Sequence, residues 1–263
     1  MIRLGSMSAS TIAFLFLGFL FARDSSAQSY WEDYNQSYDG DEDDFPKWNL
    51  AFRIGPYSPN VDNEFEDRGD TSRPFETTFG TGSSLYVGVD VERYLHINHY
   101  WQIGVSFTGG HVSNTAQAFA SNGGVAETNN RTEDDTTFRL IPLSISGVFR
   151  LTALDELWNI PLVPYAKLGL SYYIWRFEDA NGVSEAEGRD GNGATQGYQA
   201  SLGIAIRAEK LDGSSARSLR NELGIHHAGF FIEYLTAQVN GFGSDTKLNV
   251  GDDTFVAGLN FEF

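Results

Sequence analysis

Eight segments of the chain alternate apolar and polar residues with a period of two, the pattern of a strand whose two faces differ in environment. The clearest is the last, residues 254–263, in which Phe255, Leu259 and Phe261 share one face with Phe263. The others lie at about 48–54, 85–92, 101–108, 137–151, 163–177, 198–207 and 230–235. With their flanks they reach the roughly ten residues that a strand tilted by about 45° needs to cross a bilayer.

The connections between these segments alternate in length. Those after the first, third, fifth and seventh segments span about 58–84, 111–136, 178–195 and 239–253, whereas those after the second and fourth span about 95–100 and 152–162. Long outer loops and short periplasmic turns are typical of membrane barrels. Aromatic residues near the segment ends suit two interfacial girdles: Trp48, Tyr57, Tyr94, Tyr100, Trp101, Trp175, Phe177 and Phe263. The pattern predicts an all-β fold, an eight-stranded antiparallel transmembrane β-barrel over residues 47–263, with a bulge or irregular stretch at Pro142.

The polar faces of the segments carry charged residues of both signs. The set comprises Arg53, Asp90, Glu92, Arg150, Lys167, Arg207, Glu209, Glu233 and Glu262. Side chains fill the interior of an eight-stranded barrel, and opposite charges that are buried together can pair. We therefore predict a charge network in the lumen, with a salt-bridged structural core favoured over a gated narrow pore.

The N-terminal segment predicts export. Residues 11–22 are strongly apolar, follow Arg3 and precede small residues, which is the pattern of a secretory signal cleaved between Ala27 and Gln28. Twelve apolar residues are too few for a helix that spans a bilayer, which takes roughly 20. Residues 28–46 hold seven acids and no base, which predicts a disordered acidic tail.

The composition excludes several kinds of site and partner. The chain has no cysteine and a formal net charge of −17. Thiol nucleophiles, thiolate metal sites and disulfides are therefore excluded, and nucleic acid is not an expected partner because phosphate binding needs clustered Lys and Arg. The acidic outer loops at about 62–76 and 178–190 are candidates for divalent cations.

The final segment resembles the C-terminal strand of small outer-membrane barrels of the OmpA and OmpX kind. The match comprises Phe255, Leu259, Phe261 and the terminal Phe263. The resemblance implies that these residues form the signal read by the barrel-assembly machinery. Residues 211–234 are also similar to a barrel family of myxobacteria. Both resemblances imply an outer-membrane location in a Gram-negative bacterium, in contact with outer-membrane lipids and lipopolysaccharide.

A short helix is predicted between the sixth and seventh segments. Residues 214–223 have helical character, with Asp212 or Ser214 as N-cap and Gly224 just past the C-terminus. Leu219 and Leu223 lie four positions apart and can pack on the periplasmic rim. A flexible excursion is the alternative.

Two sets of residues are candidates for other chemistry. His111, Val112, Ser113 and Asn114 resemble the signature of lipid A deacylases, which implies Ser113 as nucleophile and His111 as base in an outer-leaflet hydrolase, with Glu127 or Glu133 as orienting acid. His96, His99, His226 and His227 flank predicted turns, but nothing in their spacing fixes a metal site. No catalytic residue, metal or cofactor is therefore predicted in the favoured interpretation. That interpretation is a non-enzymatic outer-membrane barrel with a structural or surface-interaction role, with a narrow pore or the hydrolase as alternatives.

Overall fold

A computed structural model describes residues 46–63, 72–122, 125–180, 182–186, 189–208, 222–244 and 247–263. Three predictions lie outside these residues: the signal peptide with its cleavage between Ala27 and Gln28, the acidic tail at 28–46 except for Pro46, and all of the helix at 214–223 but its last two residues. Glu209 and the side chain of Glu127 also lie outside the described part.

Eight long strands form one closed antiparallel ring, in which each strand pairs with its neighbours in the sequence. They are β1 (Trp48–Tyr57), β2 (Ser84–Ile97), β3 (Trp101–Asn122), β4 (Val125–Leu151), β5 (Leu162–Asp179), β6 (Asn192–Arg207), β7 (His227–Gln238) and β8 (Asp252–Glu262). The ring closes where β1 pairs with β8, with Asn49 opposite Glu262 and Ile54 opposite Ala257. The predicted eight-stranded antiparallel barrel is confirmed.

Short elements lie in the connections. Helix α1 (Pro74–Phe79) follows β1, and α2 (Ala153–Glu156) joins β4 to β5. Two-residue strands at Gly182–Val183, Glu185–Ala186 and Arg189–Asp190 lie between β5 and β6. In the described ranges, no helix is both long and apolar enough to cross a membrane.

The barrel has two ends. At the terminal end, Trp48 and Phe263 exchange backbone hydrogen bonds, and the connections between β2 and β3 and between β4 and β5 are short. At the loop end lie the connections that follow β1, β3, β5 and β7.

The hairpin of β3 and β4 is longer than the sequence predicts. These strands have 22 and 27 residues, and their ladder continues to the pair of Asn122 and Val125, so most of the expected loop at 111–136 is strand. The predicted loop was wrong because the prediction rested on apolar alternation. A strand shows that alternation only where one of its faces meets an apolar environment. The irregularity predicted at Pro142 is found on one side of β4 only. The ladder of β3 with β4 skips from the pair of Gly109 and Leu143 to that of Val112 and Leu140, whereas the pairing of β4 with β5 runs through Pro142 and Tyr173 without a shift in register.

The two faces of the wall are reversed relative to a soluble barrel. Polar and charged side chains point inward and are buried together with apolar and aromatic ones such as Phe138, Leu140 and Tyr165, whereas the exposed side chains of the outward face are mostly apolar. We call the outward set the apolar belt: Phe52, Ile54, Leu85, Val87, Val89, Val91, Ile103, Val105, Phe107, Ile141, Ile145, Phe149, Leu168, Leu170, Tyr172, Ile174, Tyr198, Leu202, Ile204, Ile206, Phe230, Ile232, Tyr234, Phe255 and Leu259. It includes members from all eight strands.

Half of the aromatic residues assigned to the girdles belong to the interior instead. Trp48, Tyr100 and Phe263 are exposed, and Trp101 is half-buried against the ring of His96. By contrast, Tyr57 and Tyr94 are buried, and Trp175 and Phe177 pack against the core. The reason is strand parity: each of the four lies an even number of positions from an inward charged residue of its own strand.

Candidate functional site in the barrel lumen

The charged residues of the lumen occupy inward positions on seven strands. Alternation places Arg53 of β1, Asp90 and Glu92 of β2, Arg150 of β4, Lys167 of β5, Arg207 of β6, Glu233 of β7 and Glu262 of β8 on the same side of the wall. All eight are buried, with relative exposures of 0 to 6%. The structure therefore brings together every described member of the predicted set.

One branch of the network surrounds Asp90. Arg53 Nη1 donates to Asp90 Oδ2 at 3.0 Å, and Lys167 Nζ donates to the same oxygen at 2.6 Å. The hydroxyls of Ser106 and Thr108, on β3, donate to the two oxygens of this carboxylate at 2.8 and 3.0 Å. A buried carboxylate with four donors has the partners that offset the loss of its hydration.

The network then crosses to neighbouring strands. Arg53 also forms an ion pair with Glu233, which ties β1 to β7. Lys167 Nζ lies 2.6 Å from Glu92 Oε1, and Arg150 donates to Glu92 Oε2. The guanidinium of Arg150 also lies 4.8 Å from the ring centre of Tyr165, a cation–π geometry.

A second branch lies toward the terminal end and is centred on Arg207. Its guanidinium pairs with Asp155 and, at 3.0 and 3.2 Å, with Glu156 and Glu262. The hydroxyl of Tyr94 donates to Glu262 at 3.2 Å. Helix α2 thus covers part of this end, because its carboxylates Asp155 and Glu156 pair with Arg207 of β6 inside the barrel.

The space left in the lumen is small. A cavity of about 30 Å³ lies among Arg53, Tyr57, Tyr86, Tyr173 and other side chains on the loop side of the network. A second, of about 10 Å³, lies within the network beside Lys167. The first holds a water molecule or two, and the second is at the lower limit for one. Among the described residues the lumen is therefore packed with side chains.

An aromatic cap covers the lumen at the loop end. Phe75 and Phe79 of α1 pack on the inward rings of Phe138 and Phe177, with ring centroids 5.3 Å apart for Phe75 and Phe138 and 6.4 Å apart for Phe79 and Phe177. Trp175 packs on Phe177 at 6.0 Å. Apolar rings thus meet above the charged network.

Two polar residues hold α1 in this position. The carboxylate of Asp62 accepts hydrogen bonds from the backbone N–H groups of Phe75 and Glu76 at 2.8 and 2.9 Å. Arg131 of β4 donates to the carbonyls of Thr77 and Thr78 near the end of the helix, where a cation is favourable. The long hairpin therefore braces the cap.

Asp155, Tyr94 and the cap belong to the site, although the sequence patterns described above do not predict their part in it. The turn acid Asp155 carries no alternation signal, because it lies outside the strands. Tyr94 had the inward parity of Asp90 and Glu92, so parity could have found it. Phe75 and Phe79 are four positions apart, which is the spacing of one helix face.

The candidate hydrolase residues lie on the outer wall. His111 and Ser113 of β3 are both exposed and point away from the lumen, at the loop-end margin of the apolar belt. His111 pairs across the ladder with Val87, and Ser113 pairs with Arg139. Among the residues that the structure describes, the two side chains form no hydrogen bond with each other.

The turn histidines are not assembled into a site. His96 stacks on Trp101 at 4.7 Å. In the described part of the chain, no three His, Asp or Glu side chains are grouped as ligands of one metal ion.

The residues of the predicted assembly signal share the outer face of β8 and its end. Phe255, Leu259 and Phe263 are exposed, and Phe261 lies edge-on to Phe52 of β1 at 6.4 Å. They form one apolar row that is accessible from outside. Their role in assembly stays a prediction.

No family model matches the sequence, and no curated protein does. Among solved structures, the chain is similar to Ail, the attachment invasion locus protein of Yersinia pestis, with 10% identity, a TM-score of 0.40, and 82% of this chain and 97% of Ail covered. It is also similar to Neisserial surface protein A, with 13% identity, a TM-score of 0.43, and 82% and 96% covered. The outer membrane protein OprG of Pseudomonas aeruginosa has 14% identity and a TM-score of 0.44, with 83% and 96% covered. The similarity of this chain to small outer-membrane β-barrels is one of fold.

Proposed function

We propose that the chain is an integral outer-membrane β-barrel protein with a structural or surface-interaction role and no enzymatic activity. The observation that carries the proposal is the apolar belt, which lies on the outward face of a closed barrel whose inward face is charged. The terminal end would then face the periplasm, and the loop end the cell exterior.

The distribution of apolar surface supports the membrane. Monomeric soluble proteins rarely expose contiguous apolar patches beyond a few hundred Å², because water disfavours them. Here every strand contributes exposed apolar side chains to the outward face, from Phe52 on β1 to Leu259 on β8. A closed barrel leaves no strand edge unpaired, which is the condition for a sheet to lie in hydrocarbon.

The packed lumen supports a structural role over a pore. Ion pairs link β1, β2, β4, β5 and β7, and the aromatic cap lies above them. An ion would have to break these buried pairs in order to pass. We expect planar bilayers containing the protein to show no steady conductance, and a stable open level would favour the pore.

The protein would contact several components of the cell envelope. Its partners are the lipids and lipopolysaccharide of the outer membrane, with the barrel-assembly machinery engaging Phe255, Leu259, Phe261 and Phe263 during biogenesis. The acidic loops would bind divalent cations that bridge to lipid phosphates. Export through a cleaved signal peptide delivers the chain to the outer membrane of a Gram-negative bacterium.

Fractionation tests the proposal directly. The protein expressed in a Gram-negative host should remain in the outer-membrane fraction after washing with carbonate and high salt, and detergent should release it. Unheated samples should migrate differently from boiled ones in gels, because the folded barrel resists the detergent. Release by carbonate alone would contradict a membrane-embedded barrel and would favour a soluble exported one.

A further inference from the structure

Two arginines lie side by side on the outer wall near the loop end. Arg139 of β4 and Arg176 of β5 are direct register partners. Both point outward, and their side chains are 54% and 53% exposed. Like charges directly opposite each other on a sheet destabilise it, so this pair needs a compensating partner.

The compensation within the protein is incomplete. Glu178 forms an ion pair with Arg139 at 3.2 Å and accepts a hydrogen bond from Arg176 at 3.1 Å. One carboxylate between two guanidinium groups leaves a local charge of +1, although the chain as a whole carries −17. Each guanidinium has five N–H donors, and the bond to Glu178 uses one. Most of the donors therefore remain available to an external anion.

The neighbours of the pair define a polar row across four strands. Ser113 of β3 is the register partner of Arg139, and Asn192 of β6 is the partner of Arg176. Both are exposed and lie on the outward face of their strands. We call these four residues, Ser113, Arg139, Arg176 and Asn192, the outer polar row.

The position of the row relative to the belt identifies its surroundings. Two positions toward the terminal end, the same two strands carry Ile141 and Ile174, which are register partners and belong to the apolar belt. The row therefore lies two residues beyond this edge of the apolar belt. In a protein oriented as proposed above, the belt lies in the hydrocarbon and the row lies at the headgroup level of the outer leaflet.

We propose that the outer polar row binds a phosphate group of lipid A, the lipid moiety of lipopolysaccharide in the outer leaflet. This inference rests on the proposed location in the outer membrane. Guanidinium groups match phosphate oxygens with paired hydrogen bonds, and such charge-assisted bonds are stronger than neutral ones. A phosphate beside Arg139 and Arg176 removes their repulsion, while Ser113 and Asn192 donate to the remaining oxygens.

The same row gives Ser113 a role other than catalysis. Its hydroxyl lies in line with Arg139, and it has no hydrogen bond to His111 in the described structure. A hydroxyl beside a guanidinium is suited to donate to an anion, whereas a nucleophile needs a base within hydrogen-bond reach. Replacing Ser113 with alanine should therefore weaken lipid A binding.

The test measures binding of lipid A to the folded protein in detergent micelles, by native mass spectrometry and by titration. The probes are lipid A with two phosphates, the same lipid after dephosphorylation, phosphatidylglycerol and inorganic phosphate. The variant is Arg139→Gln with Arg176→Gln. The matched control is Arg73→Gln with Arg93→Gln, which removes the same charge from a loop and from the terminal end of β2.

We expect the double variant to bind bisphosphorylated lipid A at least tenfold more weakly than the wild type and the control. Dephosphorylated lipid A, phosphatidylglycerol and inorganic phosphate should bind the wild type no better than lipid A binds the variant. Equal binding of lipid A by wild type and variant would overturn the inference, and so would equal binding of phosphatidylglycerol and lipid A.

Folding is read separately in the same samples, from the heat-modifiable shift. A folded variant that stays in the outer membrane but keeps full lipid A affinity contradicts the inference alone. A wild-type protein that carbonate extracts contradicts the proposed function. Should the double variant misfold, the Ser113→Ala and Asn192→Ala variants, which change no charge, test the same row by the same titration.

Discussion

Arg150 places both Nε and Nη2 on one carboxylate oxygen of Glu92, at 3.0 and 2.7 Å. The two side chains are 3% and 0% exposed, and their strands, β4 and β2, are separated in the wall by β3. The pair therefore crosses the lumen-facing side of β3 and links two strands that share no backbone hydrogen bond.

Replacing Glu92 with glutamine should destabilise the barrel by about 3–5 kcal/mol, because Arg150 and Lys167 then lose a buried counter-charge. The free energy of unfolding can be measured with urea in phospholipid vesicles, with the heat-modifiable fraction as the signal. The control is Glu76→Gln, which breaks an exposed pair with Arg73 and should cost at most about 1 kcal/mol. Equal losses in the two variants would contradict a structural role for the network.

A charge placed in the middle of the apolar belt should be costly. Leu170 of β5 is 59% exposed, so its replacement with arginine loses little packing within the protein. If hydrocarbon surrounds the belt, Leu170→Arg should destabilise the barrel by about 2–4 kcal/mol in bilayers. Leu95 at the terminal end is 68% exposed, and Leu95→Arg should cost about 1 kcal/mol or less. No difference between these variants in vesicle unfolding would indicate that water surrounds both sites.

Stability should depend on the protonation of Asp252, which lies at the loop end of β8, beyond the belt. Burial raises the pKa of Asp252 to about 6. The hydrogen bond that its carboxylate accepts from the backbone N–H of Ser58 acts in the opposite direction but is the smaller effect. A carboxyl group with a raised pKa in the folded state binds more protons folded than unfolded. This contribution to stability is therefore complete below about pH 4 and declines until the pH exceeds about 6.

Asp252→Asn should flatten that decline, because the amide keeps an oxygen acceptor for Ser58 without a charge. At pH 8 the variant should be more stable than the wild type by up to about 3 kcal/mol, from roughly two pKa units at 1.36 kcal/mol each. The measurement is the urea midpoint from pH 4 to pH 8. A variant whose midpoint falls with pH as steeply as that of the wild type would assign the dependence to other groups.

Inward glycines make room for aromatic rings. A Cβ added at Gly203 of β6 would lie 2.4 Å from the ring of Tyr165 on β5, whereas one added at Gly82 would meet no atom within 4 Å. Gly203→Ala should therefore displace Tyr165 and destabilise the barrel by about 1–3 kcal/mol. Gly82→Ala should change stability by less than about 1 kcal/mol. A neutral Gly203→Ala variant in the same unfolding assay would show that the ring moves without cost.

The strand faces could be predicted from the sequence, because the environment changes across the wall at every residue. Period-two alternation located the strands, and the inward position of Arg53, Lys167 and Glu233 followed from the parity of their neighbours. Proximity to a strand end predicts that Tyr57 and Trp175 lie on the exterior, against the parity of both residues. Applying parity throughout would have placed both inside.

Other features depend on contacts that alternation does not encode. Asp155 reaches Arg207 from a turn helix, across 52 positions of sequence. The hairpin of β3 and β4 continues where the regular apolar alternation has ended, so its backbone hydrogen bonds rather than an apolar face define it. The aromatic cap depends on Asp62 and Arg131, whose partners are backbone groups of α1.

The closing seam between β1 and β8 has a consequence for the order of events in folding. Along this seam Pro56 and Thr254 are in contact although they lie 198 positions apart in the chain. Every other seam joins strands that are consecutive in the sequence, so hairpins can form locally and early. The first strand must keep one edge unpaired until the last strand has been synthesised, and a partner that shields that edge would protect the chain from aggregation in the meantime.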